Sequence, residues 1–252
     1  MKLSEQEKAA HRAAFRNMSL RNKLDHVFTY YKWPVLLSLL ALIVLGSAIH
    51  RQLTKKEPVL YIAMTNTAVG EDLEKHLTSD YLTVAELNPR KQEIYLYRDL
   101  YISEDADTLN HEYAYASKMK LSGAISAKKL DLVLMNREAY DLLSRSGYLA
   151  ELSSSLFWDT PGLYDKLLPI LTGNNVVLSD NSIEYLLGET ENHEVETTRV
   201  QNALDVSSLP LFAQAGFSDD IYLGIVANSP RFDACLQFLA YLAAWKASDQ
   251  NP

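Results

Sequence analysis

The sequence predicts an α/β domain whose mostly parallel sheet is flanked by helices, preceded by one transmembrane helix. Three observations carry this expectation. From residue 58 onward, short apolar runs alternate with helical patterns, as strands joined by crossover helices do. Ahead of them, Trp33 to Ile49 is a 17-residue stretch without a charge, at the short end of the length a membrane span requires. Charge divides at the same boundary: residues 1–57 carry a net +6 and residues 58–252 a net −14. The organisation that follows is a basic segment over 1–28, a transmembrane helix over 29–52 and an extracytoplasmic domain over 58–252.

"FTYY" extends the uncharged stretch at its start, and Tyr30, Tyr31 and Trp33 form the aromatic belt expected where a helix enters the headgroup layer. Pro34 suits a first helical turn, whose N–H groups lack internal partners. Seven basic residues precede the span and three follow it closely, which favours a cytoplasmic N-terminus and a domain outside. A cleavable signal peptide is the rival reading, with Gly46-Ser47-Ala48 as its small-residue site; the long leading segment favours an uncleaved anchor. A lipoprotein would need a cysteine just after the apolar run, and none is there. Residues 3–28 read as a helix, either lying on anionic lipid or serving as a solvated basic flank.

In the outer domain, "PVLYIAMTN" (58–66) reads as a buried strand. "GEDLEKHLTSDYLTVAEL" spaces Leu73, Leu77, Tyr81 and Val84 about a turn apart, with early acidic residues that suit a helix N-terminus. "QEIYLYRDLYI" (92–102) is β-rich, residues 108–129 return to helix, and "LDLVLMN" (130–136) is a third apolar strand. A helix over Arg137–Arg145 follows, ended by Gly147. Beyond Pro169 the pattern loosens. "NNVVLSD" and "IYLGIVAN" read as strands, with "HEVETTRVQNALDV" a polar-faced strand or hairpin between them. "SPRFDACLQFLAYLAAW" closes as a helix, with Ser229 as N-cap and Pro230 at its first position.

"AYASKMKLSGAISAKKLDLVLMNREAYDLLSRSGYLAELSSSL" resembles the first lobe of type II extracytoplasmic solute-binding proteins, the periplasmic-binding-protein-like family. The likeness lies in a helix leading to the strand that starts at Asp131, a short helix from Arg137, and a Gly-x-Leu-x-x-Leu exit over Gly147 to Leu152. "IYLGIVANSPRFDACLQFLAYL" is similar to the late strand and helix with which such chains return to the first lobe. The resemblance implies a periplasmic-binding-protein-like lobe and, since about 195 outer residues are too few for two full lobes, a reduced second one.

The acidic balance of the outer domain repels nucleic-acid phosphates, so nucleic acid is not an expected partner. The single cysteine, Cys235, excludes an internal disulfide and a multi-cysteine metal site; its apolar helical neighbours predict a buried small hydrophobe. His111-Glu112 and His193-Glu194 each lack the second histidine of a zinc-hydrolase helix, and no nucleophile elbow or phosphate loop occurs. No catalytic residue, metal or cofactor is expected. "SEDAD" (103–107) and the acidic run Asp180 to Glu196 lack the alternating ligands and glycine of a calcium loop and read as solvated charge. Open α/β sheets bind ligands beyond the carboxyl ends of their strands, which singles out Thr65, Asn66 and Thr67 after the first strand and Asn136 and Arg137 after the third. Ordinary turn and cap chemistry is the alternative for each. "DVSSLPLF" (205–212) is either a rim that grips a partner or a connection packed on the sheet. Two functions stay open: a membrane-anchored, non-enzymatic solute-binding-like module serving a transporter, or a ligand-free accessory subunit of a membrane complex built on the same fold. The implied partners are membrane lipid around residues 29–52, a small solute, and a membrane transporter or complex.

Overall fold

A computed structural model describes residues 32–104, 111–153, 162–188 and 190–246. The basic helix expected over 3–28, Tyr30 and Tyr31 lie outside the described residues. The chain divides into two compact units, Met1–Lys55 and Lys56–Pro252.

The first unit holds helix α1 (Lys32–Thr54), 23 residues long, and its large apolar side chains from Trp33 to Leu45 that are described are exposed. Among the described residues, no helix is long and apolar enough to cross a membrane.

The second unit is α/β. Strand β1 (Glu57–Thr65) leads into a continuous helical segment made of α2 (Glu71–Lys75), a π-helical turn (His76–Asp80) and α3 (Tyr81–Val84). Strand β2 (Gln92–Leu100), helix α4 (His111–Ser126), strand β3 (Leu132–Met135) and helix α5 (Arg137–Arg145) follow. The later chain supplies α6 (Leu163–Leu167), β4 (Leu171–Asp180), α7 (Ser182–Leu186), β5 (Val195–Asp205), α8 (Pro210–Ala215), β6 (Tyr222–Ile225) and α9 (Phe232–Ala244).

The six strands form one sheet in the order β2-β1-β3-β6-β5-β4. Strand β1 runs parallel to both β2 and β3, as strands joined by crossover helices must. The other three pairings, β3–β6, β6–β5 and β5–β4, are antiparallel. The sheet is therefore mixed, which corrects the expectation of a mostly parallel one. The reason is connectivity: β4 and β5 are a hairpin, and β6 comes back into the middle of the sheet from the opposite direction.

Strand β3 is the centre, with every residue buried, and the core lies on both of its faces. On one face Leu132 and Leu134 pack with Leu60, Ile62, Leu73, Phe212 and Phe238; on the other, Val133 and Met135 pack with Ala63, Leu121, Tyr140 and Tyr222. Helix α5 ends as its sequence predicts. Gly147 takes φ 67°, its N–H donates to the Ser144 carbonyl, and the Tyr148 N–H donates to the Leu143 carbonyl, the paired closure that favours glycine at this position. Two expectations change. Ser229 does not cap α9, which begins at Phe232 after Arg231; its hydroxyl instead donates to the Asp131 carboxylate at 2.6 Å. The "DVSSLPLF" stretch is a connection rather than an exposed rim, since Leu211 and Phe212 on α8 are buried in the core.

Candidate functional site

Because β1 and β3 run parallel with Thr65 opposite Met135, Asn66 and Asn136 leave the sheet side by side at its carboxyl edge. Asn66 adopts φ 55°, a left-handed geometry that asparagine tolerates better than most residues. Its amide is committed to the neighbouring chain. Nδ2 donates to the Ile102 carbonyl at 2.7 Å, Oδ1 accepts from the Ile102 N–H at 2.8 Å, and Nδ2 also reaches Glu138 Oε2 at 3.4 Å. Asn136 is the N-cap of α5, its Oδ1 accepting from the Ala139 N–H at 3.0 Å. Such a cap is worth about 1 kcal/mol.

Arg137 turns towards β6. Its Nη1 donates to the Tyr222 hydroxyl at 3.2 Å, and Nε lies 3.2 Å from Asp141 one turn along the helix. The guanidinium sits over the rings of Tyr140 and Tyr222, 5.8 and 5.6 Å from their centres. The Tyr222 contact, followed by the Asp141 charge, raises its already high pKa, so it is a permanent cation. Thr65 is buried at the end of β1, and the hydroxyls of Thr65 and Thr67 have no hydrogen-bond partner among the described residues. The five residues thus share one sheet edge, but Asn66 and Arg137 aim their polar ends at different neighbours.

Behind Arg137 a buried polar chain joins α5 to the β4–β5 hairpin. The Tyr140 hydroxyl donates to Asn202 Oδ1 at 2.8 Å, Asn202 Nδ2 donates to Ser144 Oγ at 2.7 Å, and Ser144 Oγ donates to the Asn175 carbonyl at 3.2 Å. Asn174 Nδ2 donates to Asp141 at 2.6 Å. Burial pushes the Tyr140 hydroxyl up to about 12 despite the opposing Arg137 charge. A fully satisfied network of this kind fixes geometry.

A cleft of about 320 Å³ opens where β1 gives way to α2, lined by Gly70, Glu71, Asp72, Leu73, His76, Leu211, Gln214 and Ala215. Its volume is at the small end for a ligand pocket. His76 Nδ1 lies 2.7 Å from Asp80 Oδ2, within ion-pair distance but without the geometry of a hydrogen bond. Among the described residues no group of three or more His, Cys, Asp or Glu could hold a metal ion.

The feature that sequence reasoning missed lies at the far end of the β4–β5 hairpin. Only Leu204 and Asp205 of β5 pair with β6, so most of the hairpin is a two-stranded arm. At its tip Leu178, Ile183, Tyr185, Leu186, Leu187 and Val195 are exposed, Leu186 to 82%. The signal was present in three consecutive apolar residues, Tyr185-Leu186-Leu187, inside a run read only for its charge. Compared with family models, curated proteins and solved structures, the chain matches none of them.

Proposed function

We propose that this protein is a membrane-anchored, non-enzymatic accessory module whose extracytoplasmic α/β domain docks on a membrane complex. The observation that carries this reading is the set of exposed large apolar side chains at the tip of the β4–β5 arm, the kind of surface that marks interaction sites. The side chains of Asn66 and Asn136 support it from the other direction, because their amides hold the fold's own backbone.

In this reading the anchor is the uncharged stretch Trp33 to Ile49 with the aromatic residues before it, at the short end of the spanning length. The basic residues ahead of it orient the domain outward. Support for reading the module as a solute-binding-like first lobe, its second lobe reduced to the arm, comes from β6 lying beside β3 and α9 side chains sharing the core of Leu132 and Leu134.

The cleft at α2 favours a second reading, in which a small cationic solute sits between Glu71 and Asp72. One experiment separates the two. The full chain, extracted from native membranes in mild detergent, elutes in a complex larger than itself, and Leu186→Asp/Leu187→Asp releases it as a lone chain with an unchanged melting temperature. Elution of the wild-type protein alone, with a melting temperature raised by a small amine or cationic amino acid, establishes the solute reading instead. Protease added to spheroplasts digests residues 58–252 if the orientation is correct, and protection of that domain reverses it.

A further inference from the structure

Among the described residues, the tip of the arm is braced by its own hydrogen bonds. Asn181 Oδ1 accepts from the Glu194 N–H at 2.6 Å, and its Nδ2 donates to the Asn192 carbonyl at 3.0 Å, tying the two strands together. Asp180 Oδ1 accepts from the Ser182 N–H at 2.9 Å and lies 3.3 Å from His193 Nε2. The Tyr185 ring lies 5.9 Å from that of His193. The base is held as firmly by the Tyr140–Asn202–Ser144 chain. A surface whose polar groups already satisfy one another loses little conformational freedom on binding.

The charge around the apolar patch selects its occupant. Asp180, Glu184, Glu191, Glu194 and Glu196 lie on the same arm, all exposed, and the sequence has no lysine or arginine from residue 178 to residue 198. Anionic lipid is repelled by such a rim. A second copy brings the same carboxylates against these, an arrangement that costs several kcal/mol.

Resting on the accessory-module reading, we propose that the β4–β5 tip inserts into an apolar groove rimmed by lysine or arginine on a different protein, with Leu186 as the central anchor. The tip's internal bonds preform the insert, and the carboxylate rim gives register and steers the encounter.

The test places a photo-crosslinking amino acid at position 186 of the full-length protein in its native membrane and maps the adduct by mass spectrometry. The expected adduct is a peptide of another protein in which an apolar stretch is flanked by at least two Lys or Arg. Glu184→Lys/Glu194→Lys lowers its yield about tenfold or more, and crosslinking in 1 M salt, where the screening length falls to about 3 Å, does the same. An adduct with lipid, with a second copy, or with a site lacking basic residues overturns the proposal, as does a yield indifferent to both changes. If Leu186→Asp/Leu187→Asp releases the native complex but position 186 gives no adduct with a site flanked by Lys or Arg, the proposal fails and the accessory reading stands. If the wild-type chain is extracted alone, both fail.

Discussion

Arg231 Nε lies 2.8 Å from Oδ2 of Asp131, a carboxylate fully withdrawn from solvent and 100 residues away in the chain. The same carboxylate accepts from the Tyr61 N–H at 2.8 Å and from the Ser229 hydroxyl at 2.6 Å. Arg231 also donates to the Lys128 carbonyl at 2.7 Å and stacks 4.7 Å over the Tyr61 ring. One buried charge thereby joins β1, the start of β3 and the turn before α9. Removing one partner of such a pair leaves an uncompensated charge, so Arg231→Leu lowers unfolding stability by about 3–5 kcal/mol. Asp131→Asn/Arg231→Leu loses less than the two single changes together, and denaturant unfolding of all four proteins measures the coupling.

Val133 is fully buried at the centre of the sheet. Val133→Asp places a carboxylate there with no partner, which costs several kcal/mol whether it stays charged or takes up a proton. Loss of the cooperative melt is the expected result, and a near-wild-type melting temperature contradicts the central position of β3.

Arg137→Ala removes a side chain that is 60% exposed. The lost ion pair and ring contacts are each worth about 1 kcal/mol or less at such a site. The variant therefore keeps its fold and melts a few degrees lower at most. Asn136→Ala costs about 1 kcal/mol by removing the α5 cap, also read by thermal melting.

Alkaline pH destabilises the domain through protons that the folded state retains. Burial pushes the hydroxyls of Tyr140 and Tyr241 from 10.0 up to about 12, and the Cys235 thiol from 9.0 up to about 12. Each folded value lies above its unfolded one, so their contribution is whole below about pH 9 and declines as pH rises towards about 12. Melting temperatures recorded from pH 8 to 11.5 fall across that window. Cys235 resists thiol reagents until the domain unfolds, because the reactive form is the thiolate.

The half of the sheet built from β1, β2 and β3 was legible because buried apolar runs separated by helical periodicity imply parallel crossovers. The other half was not. Strand direction leaves no mark on periodicity, and whether Tyr222–Ile225 runs up or down depends on where the preceding chain ends. For "DVSSLPLF" a gripping rim and a packed connection read alike in the sequence, and the burial of Leu211 and Phe212 selects the connection. Asn66 and Asn136 were correctly placed at the sheet edge by their position after apolar runs. Their partners, Ile102 and the Ala139 N–H, are set by the fold, and no local pattern reveals that a polar side chain is already engaged. The Asp131–Arg231 pair was hidden for the same reason at a much larger separation.

Strand β6 lies between β3 and β5 in the sheet, although about 85 residues of chain separate it from β3. During synthesis, therefore, β1, β2 and β3 emerge long before the strand that covers β3. Until residue 225 is available, the most apolar strand of the domain has one open edge, and Asp131 has no counter-ion until Arg231 follows. Open apolar edges recruit other chains. The nascent domain thus has a vulnerable interval set by its chain order, and truncation before β6 produces aggregation rather than a smaller folded unit.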